Sequence, residues 1–103
     1  MNVLTAEIIA FRDAREWGQF HTPPQLAAAL SIEAAELQET MLWGKPPSSR
    51  TTLELADVLI YALTLCHDLG LDPEDIVRGK LEFNAERYPV EKSRGNATKW
   101  SDL

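Results

Sequence analysis

Apolar residues recur at helical spacing in four stretches of the chain. In the first, from Val3 to Trp17, Leu4, Ile8 and Phe11 form one stripe. The second, from Pro23 to Leu42, is rich in Ala and Leu. The third, from Thr51 to Leu69, contains Val58-Leu59-Ile60-Tyr61-Ala62-Leu63, a run apolar on every face, as in a helix buried on most sides. The fourth runs from Pro73 to Tyr88 and stops at Pro89. No period-two alternation that would mark a strand stands out. The spacing predicts an all-α chain of four helices over residues 1–89, followed by a polar, loose tail over 90–103 in which Trp100 is the one candidate to dock.

The breaks between these stretches carry their own signals. Thr22-Pro23-Pro24-Gln25 offers a capping threonine, a proline at the first helical position and a glutamine to close a capping box. Trp43-Gly44-Lys45-Pro46-Pro47-Ser48-Ser49 must interrupt any helix. Gly70-Leu71-Asp72-Pro73 supplies a terminator, a cap and another first-turn proline.

Size and charge narrow the picture. A chain of 103 residues suits one domain, and an apolar fraction of 45% is enough for a core. The net charge of −6 argues against a nucleic-acid scaffold, which would need a basic face. Cys66 is the single cysteine, in an apolar run, and reads as a buried inert thiol in a reducing compartment. The first twelve residues include Glu7 and do not look like a signal peptide. The longest apolar segment, Val58 to Cys66, is far too short to span a membrane.

The candidate chemistry lies in two carboxylate pairs. Glu33 and Glu36 stand i,i+3 in the second helix, and Glu54 and Asp57 stand i,i+3 in the third. Each pair lies on one helix face. If the two helices pack antiparallel across the Pro-rich loop, the pairs converge. Four such carboxylates stay ionised only if cations neutralise them. All-oxygen ligands select hard cations such as Mg²⁺ or Mn²⁺. The Glu-x-x-His pattern of di-iron bundles is absent. A bland reading stands beside this one: an isolated Glu-x-x-Glu is most often solvated charge, and Glu54 could close a capping box with Thr51. Asp57 resists that reading, because it is a poor helix former bordering an apolar run.

Two further groups matter. Lys80, Asn84 and Arg87 make one polar stripe on the fourth helix, suited to phosphate or to the surroundings of a metal. Lys92 and Arg94 in the tail could also reach phosphate. Trp17, Phe20, Trp43 and Tyr61, with His21 as a hydrogen-bond partner, are candidates to hold a planar base. Trp17 and Trp43 sit at helix ends that would rim a pocket. His67 has no acid at helical spacing and reads as structural or exposed.

Glu33-Ala34-Ala35-Glu36-Leu37, followed by Glu54-Leu55-Ala56-Asp57-Val58-Leu59-Ile60-Tyr61, resembles the signature of the MazG-like all-α NTP pyrophosphohydrolases. The flanking runs Arg15–His21 and Lys80–Pro89 agree, and the likeness is greatest to the short, single-domain dCTP pyrophosphatase-like branch. One departure is Ile32, where many relatives have a second Glu before the first motif. The resemblance implies Mg²⁺-dependent cleavage of an NTP or dNTP into a monophosphate and pyrophosphate. It implies Glu33, Glu36, Glu54 and Asp57 as ligands, with Glu33 or Glu36 doubling as base. It further implies helical bundles assembled as homodimers or homotetramers, and a cytoplasmic housecleaning role. The alternative from the residues alone is a non-catalytic helical oligomerisation module.

A third helix apolar all round needs more neighbours than three short helices supply, so it is expected to pack against another subunit. Light scattering at low micromolar concentration should return the mass of a dimer or tetramer; a monomeric mass would count against this.

Overall fold

The computed structural model describes residues 2–103, and no strand occurs among them. The helices are α1 (Val3–Ala14), α2 (Pro23–Glu39), α3 (Ser49–Asp68), α4 (Pro73–Arg87) and a one-turn α5 (Val90–Ser93). Short 3₁₀ turns lie at Trp17–Phe20, Leu42–Gly44 and Trp100–Asp102. Two compact units are formed, Met1–Leu71 and Asp72–Leu103.

Helix starts follow the expected capping chemistry. The Asn2 side chain accepts from Thr5 N–H at 2.8 Å. Thr22 and Gln25 form the reciprocal box before α2, and Asp72 caps α4 by accepting from Glu74 N–H at 2.8 Å.

Helix ends depart from the expectation. α1 stops at Ala14 rather than Trp17, because Glu16 adopts a left-handed conformation at φ 55° and turns the chain into the 3₁₀ segment. α2 stops at Glu39 rather than Leu42. The Thr40 hydroxyl bonds back to Leu37 C=O at 2.8 Å, and Trp43 turns left-handed at φ 62°. α3 begins at Ser49, two residues early, because Thr51 Oγ1 accepts from Ser48 N–H at 3.0 Å. Thr51 therefore serves the cap at Ser48, and Glu54 is not needed for capping.

α2 and α3 form an antiparallel hairpin. The Thr51 hydroxyl donates to Thr40 Oγ1 at 2.9 Å, so the buried Thr40 joins the end of one helix to the start of the next. α1 joins α3 at its other end, where Arg12 Nη1 donates to both oxygens of Asp68 at 3.0 and 2.8 Å. His67 Nδ1 lies 3.1 Å from Asp68 Oδ1, so the histidine does have an acidic partner, its neighbour in sequence. Few side chains are fully enclosed: Leu26 and Ile9 are the buried large apolar ones among the described residues, with Thr5 and Thr64 beside them. Cys66 is half-buried rather than buried. On α3, Leu55 and Leu59, one turn apart, remain exposed at 47% and 55% and leave an apolar strip uncovered, while Leu53, 67% exposed, lies on another side of the helix.

In the second unit, the 90–103 segment, expected to be loose, contains α5 and a docked Trp100. Arg87 Cζ sits 4.1 Å from the Trp100 ring and 4.1 Å from the Phe83 ring, a cation–π sandwich. No described helix is long and apolar enough to cross a membrane.

Burial raises the Asp68 carboxyl, but hydrogen bonds from Arg12 and His67 outweigh it and leave the group below its ordinary 3.8. A depressed carboxylate stabilises the fold above its ordinary pKa and loses that contribution as pH falls through its folded value. Asp68→Asn should therefore cost about 1 kcal/mol at neutral pH, or about 4–8 °C in Tm. In thermal melts the gap to wild type should close as the pH drops below the carboxylate range; a constant gap would show that the pair contributes no charge interaction.

Candidate active site

Four acids were expected to converge, and the hairpin brings three together. Glu33 and Glu36 from α2 and Glu54 from α3 each place a carboxylate oxygen within 4.8 Å of the others. The Thr40–Thr51 link sets this register, since it aligns Glu36 with the first turns of α3. Asp57 lies outside that trio yet close enough for its charge to act on Glu33. All three glutamates are half-buried. Oε2 of Glu33 and Oε2 of Glu54 are buried with no hydrogen-bond partner among the described residues.

Like charges at this separation repel by about 1–4 kcal/mol per pair, depending on the local dielectric. The cation nearest Glu54 is Arg50, whose Nε stands 3.7 Å from Oε1, a long contact from an exposed side chain. Without a metal the cluster therefore takes up a proton more readily than an ordinary carboxylate. Glu33 is pushed up to about 7, first by burial, then by Glu36 and Glu54 at close range and by the charge of Asp57. Two orphaned buried oxygens, an all-carboxylate donor set and an ionisation suppressed by repulsion together fit a divalent cation held by Glu33, Glu36 and Glu54, with Asp57 alongside.

Next to the acids, the first unit contains a cavity of about 440 Å³. Asp57 lines it, and so do Trp17, His21 and Tyr61 of the expected aromatic set. His21 and Tyr61 meet edge to face at 6.5 Å, and Trp17 meets Phe11 likewise at 5.9 Å. His21 Nδ1 is buried without a partner among the described residues. Phe20 and Trp43 do not line this cavity; they are 63% and 94% exposed. Leu4, Ile8 and Phe11, the apolar stripe expected on α1, form one cavity wall. Their stripe was visible in the sequence, but spacing does not distinguish a core from a pocket wall.

Lys80, Asn84 and Arg87 all belong to α4 in the second unit. Arg87 is committed to its aromatic sandwich, and Lys80 Nζ stands 4.6 Å from the Phe83 ring. A stacked guanidinium keeps its in-plane N–H groups for an anion.

Residues 28–103 match the model of the MazG-like family. The chain belongs to the MazG-like family. It is 40% identical to mouse dCTP pyrophosphatase 1 over 104 residues, covering 90% of this chain, and 36% identical to the human protein of that name, again over 90%. The chain spans only 61% of the length of these curated relatives. Among solved structures, a pyrophosphatase from Archaeoglobus fulgidus superposes with a TM-score of 0.75 at 39% identity, covering 84% of this chain and 89% of that one. The MazG-like match includes the whole of α3 and all three clustered glutamates.

Metal-free, Glu33 binds its proton near 7 in the fold but near 4.5 when unfolded. Between those values the fold holds more protons than the unfolded chain, so its stability falls as pH rises through that window. Glu33→Gln should raise Tm in chelator at pH 8 and leave it unchanged below about pH 4.5. Equal melting of variant and wild type at pH 8 would mean that the cluster carries no repulsion.

Proposed function

We propose that this MazG-like chain is a nucleoside triphosphate pyrophosphohydrolase that converts an NTP or dNTP to its monophosphate and pyrophosphate. The carboxylate cluster with its two orphaned buried oxygens, set beside an aromatic cavity, carries this reading. The name of the relatives favours dCTP as substrate, and the proposal extends to modified dNTPs and a housecleaning role in the cytoplasm.

Glu33, Glu36, Glu54 and Asp57 hold the metal, Mg²⁺ with Mn²⁺ as substitute. The bound ion supplies charge neutralisation for the triphosphate and Lewis acidity. Glu33 or Glu36 takes the proton of the attacking water as the α–β anhydride breaks and pyrophosphate leaves. Trp17 and Tyr61 hold the base by stacking, and His21 offers its unpartnered nitrogen to a polar edge. Lys80, Asn84 and Arg87 carry donors suited to phosphate, with Arg87 oriented by Phe83 and Trp100. The exposed leucines of α3 support assembly as a homodimer or homotetramer.

The test is a panel of standard and modified NTPs and dNTPs with Mg²⁺, scored for pyrophosphate against orthophosphate. Pyrophosphate and a monophosphate are the expected products. Glu36→Gln or Asp57→Asn should lower turnover by about 10²-fold or more with helical circular dichroism unchanged. Orthophosphate as the only phosphate product, or no turnover of any nucleotide, would leave a non-catalytic helical module as the reading.

A further inference from the structure

The cavity runs along one face of α3. Asp57, Tyr61 and Thr64 line it at i, i+4 and i+7, and Asp68 follows one turn later. At the helical rise of about 1.5 Å per residue, Asp57 and Thr64 lie about 10 Å apart along the axis. That is about the reach of a nucleoside from its α-phosphate to the far edge of its base. A triphosphate anchored at the Asp57 end therefore points its base toward the Thr64 end.

Arg12 stands at that end. It is the one arginine or lysine lining the cavity, and its side chain is only 12% exposed. Nη1 is taken by both oxygens of Asp68, and Nε lies 3.3 Å from Asp13 Oδ1. Nη2 has no hydrogen-bond partner among the described residues. The side chain is mostly covered, and its free, permanently charged nitrogen is open to an acceptor. It is also rigid, because two acids hold it, so little ordering is needed on binding.

We propose that Arg12 is a specificity-determining residue that donates from Nη2 to a carbonyl oxygen of the substrate base. The proposal rests on the reading of the cavity as the base site of a triphosphate hydrolase. Cytosine meets the donor with two adjacent acceptors, O2 and N3. Guanine, thymine and uracil also present carbonyl oxygens. Adenine has no carbonyl oxygen; its acceptors are ring nitrogens alone, and N1 and N7 flank an amino group that would set donor against donor. The resemblance and the i,i+3 carboxylate spacing gave no sign of this residue, since Arg12 and Asp68 are 56 positions apart.

Steady-state kinetics of the full chain on three substrates tests the assignment: the keto-base dNTP that wild type turns over best, dATP, and deoxyribose 5-triphosphate, which has no base. Arg12→Met should lower kcat/KM on the keto-base substrate by about 10- to 100-fold, the scale of one hydrogen bond to a charged group. Its losses on dATP and the baseless triphosphate should be smaller and equal to each other, reflecting only the broken Asp68 tie. Arg12→Lys keeps a cation for Asp68 but has no second nitrogen, so it should fold with near-wild-type Tm and show the same selective loss. Equal losses on all three substrates would assign Arg12 a purely structural role and overturn the proposal. A wild-type preference for dATP, or undiminished turnover of the keto-base substrate by Arg12→Lys, would overturn it as well. Failure of wild type to cleave any triphosphate would instead remove the hydrolase reading itself, and this assignment with it.

Discussion

The fold is organised around a repulsion. Three carboxylates from two helices share a space in which one oxygen of each lies within 4.8 Å of the others. Left alone they push the hairpin apart, and each repulsion is comparable to a sizeable part of a small domain's whole stability. The chain does not remove the conflict by pairing each acid with a base. Arg50 offers one long, exposed contact, and below about pH 7 a proton on Glu33 relieves part of the remaining charge. A site that is unfavourable when empty binds its ion more tightly for that reason, because the ion relieves strain as well as forming bonds.

The rest of the first unit holds this conflict in position. The hydroxyl chain from Ser48 N–H through Thr51 and Thr40 to the Leu37 carbonyl closes one end of the hairpin. The Arg12–Asp68 pair ties α1 across the other end of α3. Between the two ties, α1 stands off far enough to leave the cavity instead of filling it, with Leu4, Ile8 and Phe11 along its wall. The same two ties thus set both the register of the acids and the depth of the pocket beside them. Charge chemistry and shape recognition are adjacent because they share α3: Glu54 faces the acids, while Asp57, Tyr61 and Thr64 face the pocket.

Much of this was legible in the residues, and the exceptions have physical causes. The all-α class and the helix starts followed from periodicity and from local caps at Asn2, Thr22 and Asp72, which act within three residues. The ends of α1 and α2 were misjudged because Glu16 and Trp43 adopt left-handed backbone, a conformation their side chains disfavour and the sequence does not announce. The i,i+3 spacing identified all four acids but could not rank them. Asp57 read as the firmest, yet the Thr40–Thr51 register gathers the three glutamates most closely. Trp43 follows the end of α2 in a 3₁₀ turn, but a place near a helix end does not fix direction, and the residue is exposed rather than lining the cavity. Arg12 was invisible because its meaning depends on a partner in a different helix.

The account stands or falls on the acids being a cation site. Its most direct test is a crystal structure grown with Mn²⁺, with data collected for the anomalous signal of manganese. The account predicts an anomalous peak among Glu33, Glu36 and Glu54, with Asp57 turned toward it. Intact α2–α3 geometry, saturating Mn²⁺ and no peak at these carboxylates would contradict it.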